Sequence, residues 1–182
     1  VHGGGDLDLH LHGLQDKEHV ASLHSLAGLA LHLEHITGHG AVHRSLPGGN
    51  GGMCAGLIYG NELLGRPFRV VVISVEDDRE TLIRHITEII HGVEEITGLP
   101  FGVPVTRSAE VIDSYRGEGW GKNTPESEQE IFSFARSEGI FIENVYNSKV
   151  LVGMRDWINK GKIQGTVCFL HSGGFGSLFA QY

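Results

Sequence analysis

The chain is short of cysteine, of basic residues and of long apolar runs, and each shortage excludes a class of protein. Only two cysteines occur in 182 residues, Cys54 and Cys168, each inside an apolar stretch. No disulfide framework can be built from them, and a reducing, cytoplasmic compartment fits. Lys and Arg total 14 against 22 Asp and Glu, a formal charge of -8. That balance argues against nucleic acid or an anionic membrane as the main partner, so any anion site must be local. No apolar run approaches the ~18 residues needed to span a bilayer. The opening "VHGGGDLDLHLHG" has neither the basic start nor the apolar stretch of a signal peptide. The length suits one well-cored domain.

Glycine and histidine are abundant instead, with 27 and 12 residues. Residues 1–20 carry no sustained period and read as an irregular His/Gly-rich lead, with the domain occupying 21–182. Leu26, Leu29, Leu33 and Ile36 share one helical face. "AVHRSL" reads as a strand running into "PGGNGG", and residues 53–64 as a helix stopped near Gly65-Arg66-Pro67. "FRVVVISV" is β-branched almost throughout, as expected for a strand buried on both faces of a parallel sheet. The helix from Asp78 to Ile96 sets Leu82, Ile86, Ile89, Val93 and Ile96 on one stripe. "GVPVTRSAEVIDSY" is ambiguous. Thr124 before Pro125 signals a helix N-terminus, with the helix running to Ser137 and stopping at Gly139. "IFIENVY" reads as extended, "SKVLVGMRDWIN" as a helix and "GTVCFLH" as a final buried strand. Strands alternating with helices predict an α/β sandwich with a mostly parallel sheet.

Two glycine-rich turns, "GGNGG" and "HSGGFGS", each follow a predicted strand. Glycines in succession let backbone N–H groups converge on one point, and a helix starting there adds its free N–H groups and positive dipole end. Phosphate is the favoured guest of such a nest. No GK[ST] follows the first turn, which argues against a nucleoside triphosphatase, and the GxGxxG spacing of a dinucleotide site is absent. A small phosphorylated cofactor is left.

"GGNGGMCAGL", "GEGWGKNTPESEQEIFSFARSEGIFIENVYNSK" and "FLHSGGFGSLF" resemble the second half of the pyridoxal-phosphate enzymes that include D-cysteine desulfhydrase and 1-aminocyclopropane-1-carboxylate deaminase. The resemblance runs over roughly residues 22–182, with several motifs in order. It implies the type II pyridoxal-phosphate fold, with pyridoxal phosphate as cofactor. Its phosphate loop falls on Gly48 to Met53, so Gly49, Asn50, Gly51, Gly52 and Met53 are the implied phosphate contacts. Met53 stands where the family has a hydroxyl. A family tyrosine position falls on Trp120, whose indole can stack but cannot transfer a proton at neutral pH. A second matches Tyr146, the implied catalytic base, and Asn147 takes the following place, near the cofactor's ring nitrogen. His171-Ser172-Gly173-Gly174 matches "HTGG", and Ser172 keeps a hydroxyl able to reach the same nitrogen.

The resemblance implies a lyase or deaminase (a hydrolase) acting on a small amino acid. Neutral groups at Asn147 and Ser172 lean it toward β-elimination, as in the desulfhydrase branch. The family's cofactor-bearing lysine motif is not found. Lys17 lies in "LQDKEHV", and Lys122, Lys149, Lys160 and Lys162 fall in later segments. The expectation is an incomplete enzyme, inactive alone, with a homo-oligomer left open. Read without the family, the structural roles are favoured: Tyr146 as a rim aromatic, Trp120 as a core residue, Ser172 as a helix cap and His171 as a strand cap.

Two rival readings stand. One is a non-catalytic homologue serving binding or assembly. The other is a metal binder built on His35, His39 and His43, spaced i, i+4, i+8, or on the His10–His12 pair. Gly38 and Gly40 interrupt the helix that the first set needs, so no native metal site is expected. An "HGGG" like that of esterases has no G-x-S-x-G partner and is set aside.

Overall fold

A computed structural model describes residues 42–181. The irregular lead, the predicted helix through Leu26 to Ile36, and His10, His12, His35 and His39 lie outside them. Four parallel strands form one sheet: β1 (Val42–Gly48), β2 (Phe68–Ser74), β3 (Ala109–Ile112) and β4 (Val167–Phe169), in the order β3-β2-β1-β4. Val42 pairs with Phe68 and Gly48 with Ser74 along β1–β2, while His43 to Ser45 pair with Val167 to Phe169. The crossovers are α1 (Gly52–Leu63), α2 (Arg79–Thr97), a single turn α3 (Val105–Ser108), α4 (Pro125–Glu138) and α5 (Asn147–Asn159). A 3-10 turn (Phe175–Ser177) and a short α6 (Leu178–Gln181) follow β4.

Strand β2 shows why the sheet is covered twice. Val70 and Val72 pack on one side with Leu46, Ile58 of α1 and Leu82, Ile86 and Ile90 of α2. Val71 and Ile73 pack on the other with Val150 and Trp157 of α5. Side chains alternate across a strand, so an unbroken β-branched run has to meet apolar partners on both faces. The α/β sandwich with a parallel sheet is therefore present.

Several local expectations are met and several are corrected. Thr124 caps α4 through a reciprocal capping box with Ser127, Pro125 opens it, and Gly139 closes it at φ 68. On α2 the buried stripe is Leu82, Ile86 and Ile90; Ile89 and Val93 are only partly buried and Ile96 is exposed. The ambiguous stretch 102–115 resolves into α3 followed by β3. Residues 140–146 form no strand: after an irregular run they close in a turn at Asn144–Tyr146 that launches α5. The final strand is half-buried rather than buried, because β4 is the edge of the sheet and only β1 pairs with it. His43 lies in β1, so it cannot continue a helical histidine face. Among the described residues no group of three or more His, Cys, Asp or Glu side chains could hold a metal ion.

Candidate functional site

The strand order places the site. From β1 the chain crosses by α1 to β2 and on to β3, then returns by α4 and α5 to β4 on the other side of β1. The loops leaving β1 and β4 diverge from a shared edge, the switch point where open parallel sheets bind ligands. Both glycine turns sit there. They line one cavity of about 390 Å³, whose walls include Gly49 to Cys54, Glu76, Tyr146 and Ser172 to Gly174.

The first wall is the start of α1. Gly51 is the N-cap at φ 92, a backbone state that a residue with a Cβ rarely adopts, and no side chain caps the helix. The nearest substitute is a long contact of 3.5 Å from Gly52 N to Asn50 Oδ1. The first N–H groups of a helix have no partner within it, and here they open on a cavity. Met53 is partly exposed at the rim. Cys54 is fully buried, with its thiol donating to Pro47 O at 3.2 Å and burial pushing its pKa up to about 12, so it is a packing residue.

The opposite wall is built on the start of α5. The Tyr146 ring lies against the loop, close enough that a Cβ on Gly49 would come within 3.3 Å of Cε1. Trp120 is 55% exposed and lies outside this cavity, but its Nε1–H donates to Tyr146 Oη at 2.7 Å. Tyr146 and Gly174 also border a second cavity of about 530 Å³, shared with Trp120, Glu143 and Val145. Asn147 is fully buried and does not line the first cavity. Its Nδ2 donates to Glu143 Oε1 at 2.8 Å and to Gly173 O at 2.7 Å, and its Oδ1 accepts from Ser172 N at 3.1 Å and from Ser172 Oγ at 3.3 Å. Asn147 thus holds the second glycine turn in place. His171 Nε2–H donates to Phe141 O at 2.9 Å while Nδ1 accepts from Gly173 N at 3.0 Å, which requires the Nε2–H tautomer.

The structure brings together Gly49, Asn50, Gly51, Gly52, Met53, Tyr146 and Ser172, and sets Trp120 and Asn147 behind or beside them. It adds Glu76 and Glu143, which sequence reasoning did not single out, and gives a place to Lys149, read there only as a lysine outside the cofactor-bearing motif. Glu76 brings a carboxylate to the cavity wall directly after β2, where the position at a strand's carboxyl end was the available signal. Glu143 is fully buried and accepts from the backbone N–H groups of Val145, Tyr146 and Asn147. Lys149 is fully buried, and its ammonium donates to Arg116 O, Gly119 O and Val75 O at 2.7, 2.6 and 3.3 Å. Burial lowers the Lys149 pKa, with the Glu143 carboxylate opposing that shift. No local period announces Lys149, because the carbonyls that hold it lie 30 to 74 residues away, whereas Glu143 is held by backbone N–H groups two to four residues further along its own turn. Among the described residues no lysine lines the cavity.

Fold and cavity define an α/β protein of the parallel-sheet class with a glycine-lined cavity at the sheet's switch point. The comparisons agree with that class. No family profile matches the chain. It is 33% identical over 135 residues to a Thermotoga maritima protein named "Putative 1-aminocyclopropane-1-carboxylate deaminase", covering 73% of this chain and 41% of that one. Proteins of the same name from Pyrococcus horikoshii and Pyrococcus abyssi are 33% and 29% identical, each over 72% of this chain and 39% and 38% of theirs. A solved structure described as an ACC deaminase homologue superposes with a TM-score of 0.70 at 27% identity, covering 86% of this chain and 49% of that one. In sequence and in fold the chain resembles the 1-aminocyclopropane-1-carboxylate deaminase group. It spans about two fifths of the length of the curated relatives and about half of the solved chain.

Proposed function

We propose that this chain supplies the phosphate-holding portion of a pyridoxal-phosphate-dependent lyase or deaminase acting on a small amino acid in the cytoplasm. One observation carries the reading: the uncapped start of α1, its glycine loop, Tyr146 and Ser172 face one another across a single cavity at the sheet's switch point. The residues fit the cofactor's phosphate. Backbone N–H groups of Gly49 to Gly52 offer donors without a bulky side chain, and the α1 dipole adds a favourable field. When bound, pyridoxal phosphate supplies an electron sink for the substrate's α-carbon.

This chain's own residues do the rest. Tyr146 presents a phenol to the cavity and is the candidate to hold or move a proton at Oη. Ser172 presents a neutral hydroxyl on the facing wall, the cavity-side candidate for the ring nitrogen, while Asn147 acts through it. With its proton turned from Asn147 Oδ1 toward that nitrogen, this neutral hydroxyl would leave it less fully protonated than a carboxylate would, which favours β-elimination of the desulfhydrase type over deamination. The partners in this reading are a small amino acid and neither nucleic acid nor membrane, with a homo-oligomer compatible. No helix is long and apolar enough to cross a membrane among the described residues.

A second reading, cofactor or phosphate binding without turnover, is favoured by the absence of a described lysine on the cavity wall. Amide NMR separates the site from the rest of the surface. Pyridoxal phosphate added to the full chain is expected to shift the Gly49 to Gly52 amides first. Shifts spread evenly over surface residues, with those four unmoved, contradict both readings.

A further inference from the structure

Lys149 is the largest fully buried side chain of the described residues, and nothing in the proposed chemistry uses it. An ammonium has three N–H donors and no acceptor, and all three are spent on backbone carbonyls of Val75, Arg116 and Gly119. These carbonyls come from two separate connections. Val75 precedes Glu76 on the cavity wall, and Gly119 precedes Trp120. Gly119 sits at φ 113, a state in which an L side chain is strained. The turn that aims Trp120 is therefore both glycine-dependent and pinned from within by a buried cation.

What Trp120 does next follows from its chemistry. An indole N–H donates and cannot accept, so in the 2.7 Å contact with Tyr146 the phenol oxygen is the acceptor. The phenol's own proton then points away from Trp120. Glu143 fixes the other end of the pair by holding the backbone N–H groups of Val145, Tyr146 and Asn147. We infer that Lys149 is a positioning residue: by clamping the Gly119 carbonyl it holds the Trp120 indole on Tyr146 Oη and so sets the direction in which Tyr146 offers its proton. The geometric claim stands on the contacts alone. Its bearing on catalysis rests on the proposed function.

The test reads geometry without any cofactor. The full chain is labelled with 5-fluorotryptophan, giving two resonances, Trp120 and Trp157, assigned by Trp120→Phe. Trp157 packs in the core with Lys162 over its ring and serves as an internal report on the fold. Tyr146→Phe removes the acceptor and is expected to shift the Trp120 resonance alone. Lys149→Met is expected to shift it the same way, leave Trp157 in place, and abolish any further response to Tyr146→Phe in the double variant. Lys149→Gln, whose amide keeps two donors, is expected to return the resonance part of the way, and it carries the test where Lys149→Met does not fold. An unmoved Trp120 resonance in a folded Lys149 variant, or equal movement of both tryptophans, overturns the inference. Inorganic phosphate titrated into the wild type reports separately on the α1 cradle, so loss of that binding counts against the proposed function and not against Lys149.

Discussion

The Glu143 carboxylate accepts both the backbone N–H and the side-chain amide of Asn147, each at 2.8 Å, and through that amide reaches the Gly173 carbonyl and the Ser172 hydroxyl. One buried anion at the start of α5 thereby ties Tyr146 on one wall of the cavity to the glycine turn that closes it. Helix N-termini favour negative charge, so the arrangement is electrostatically consistent as well as hydrogen-bonded.

Replacing Glu143 by Gln keeps the size but turns one acceptor into a donor facing backbone N–H groups. A buried donor without an acceptor costs about 2 kcal/mol, and urea unfolding is expected to show a loss of that order. A variant within a few tenths of the wild type would mean that the carboxylate is not the organising group.

Histidine 43 gives a pH dependence. Burial, and then the Arg69 guanidinium, lower its pKa from 6.5, with Glu110 opposing. The folded state holds that proton less tightly than the unfolded one, so stability is full above 6.5 and is lost as pH falls toward the lowered folded value. Unfolding free energies at pH 8 and pH 5 are expected to differ more in the wild type than in His43→Gln. Equal differences would remove His43 as the cause.

Lys149 also bears on labelling. Its three protons are held by carbonyls and its head lies off the cavity, so it is not available to carry a cofactor. Borohydride reduction of the chain with pyridoxal phosphate, followed by peptide mapping, is expected to mark no single one of Lys122, Lys149, Lys160 and Lys162. D-cysteine or 1-aminocyclopropane-1-carboxylate turnover by the isolated chain is expected to be absent. One specifically labelled lysine among the four, with turnover lost on its change to alanine, contradicts this.

The sequence made the framework legible where local chemistry decides structure. The β-branched run at Phe68 to Val75 fixed a two-sided strand, Thr124-Pro125 fixed the start of α4, and the glycine runs marked both loops of the cavity. It did not make legible what depends on partners distant along the chain. The half-buried state of β4 depends on its edge position, and the exposure of Ile96 on what α2 packs against. The burial of Lys149 against three carbonyls depends on connections 30 to 74 residues away. Trp120 was readable as an aromatic near the site, but its contact with Tyr146 depends on the turn at Gly119.

In the proposed function the start of α1 holds the phosphate of pyridoxal phosphate. Equilibrium dialysis with Gly51→Val tests it most directly, because a side chain there is strained at φ 92 and its Cβ would meet Ile86 Cγ1 at 3.2 Å. The wild type is expected to bind pyridoxal phosphate and to bind pyridoxal, which lacks the phosphate, far more weakly, and Gly51→Val to lose roughly tenfold or more, as for a lost charge-assisted contact. Unchanged affinity in a folded Gly51→Val chain, or equal binding of pyridoxal and pyridoxal phosphate by the wild type, would contradict the account.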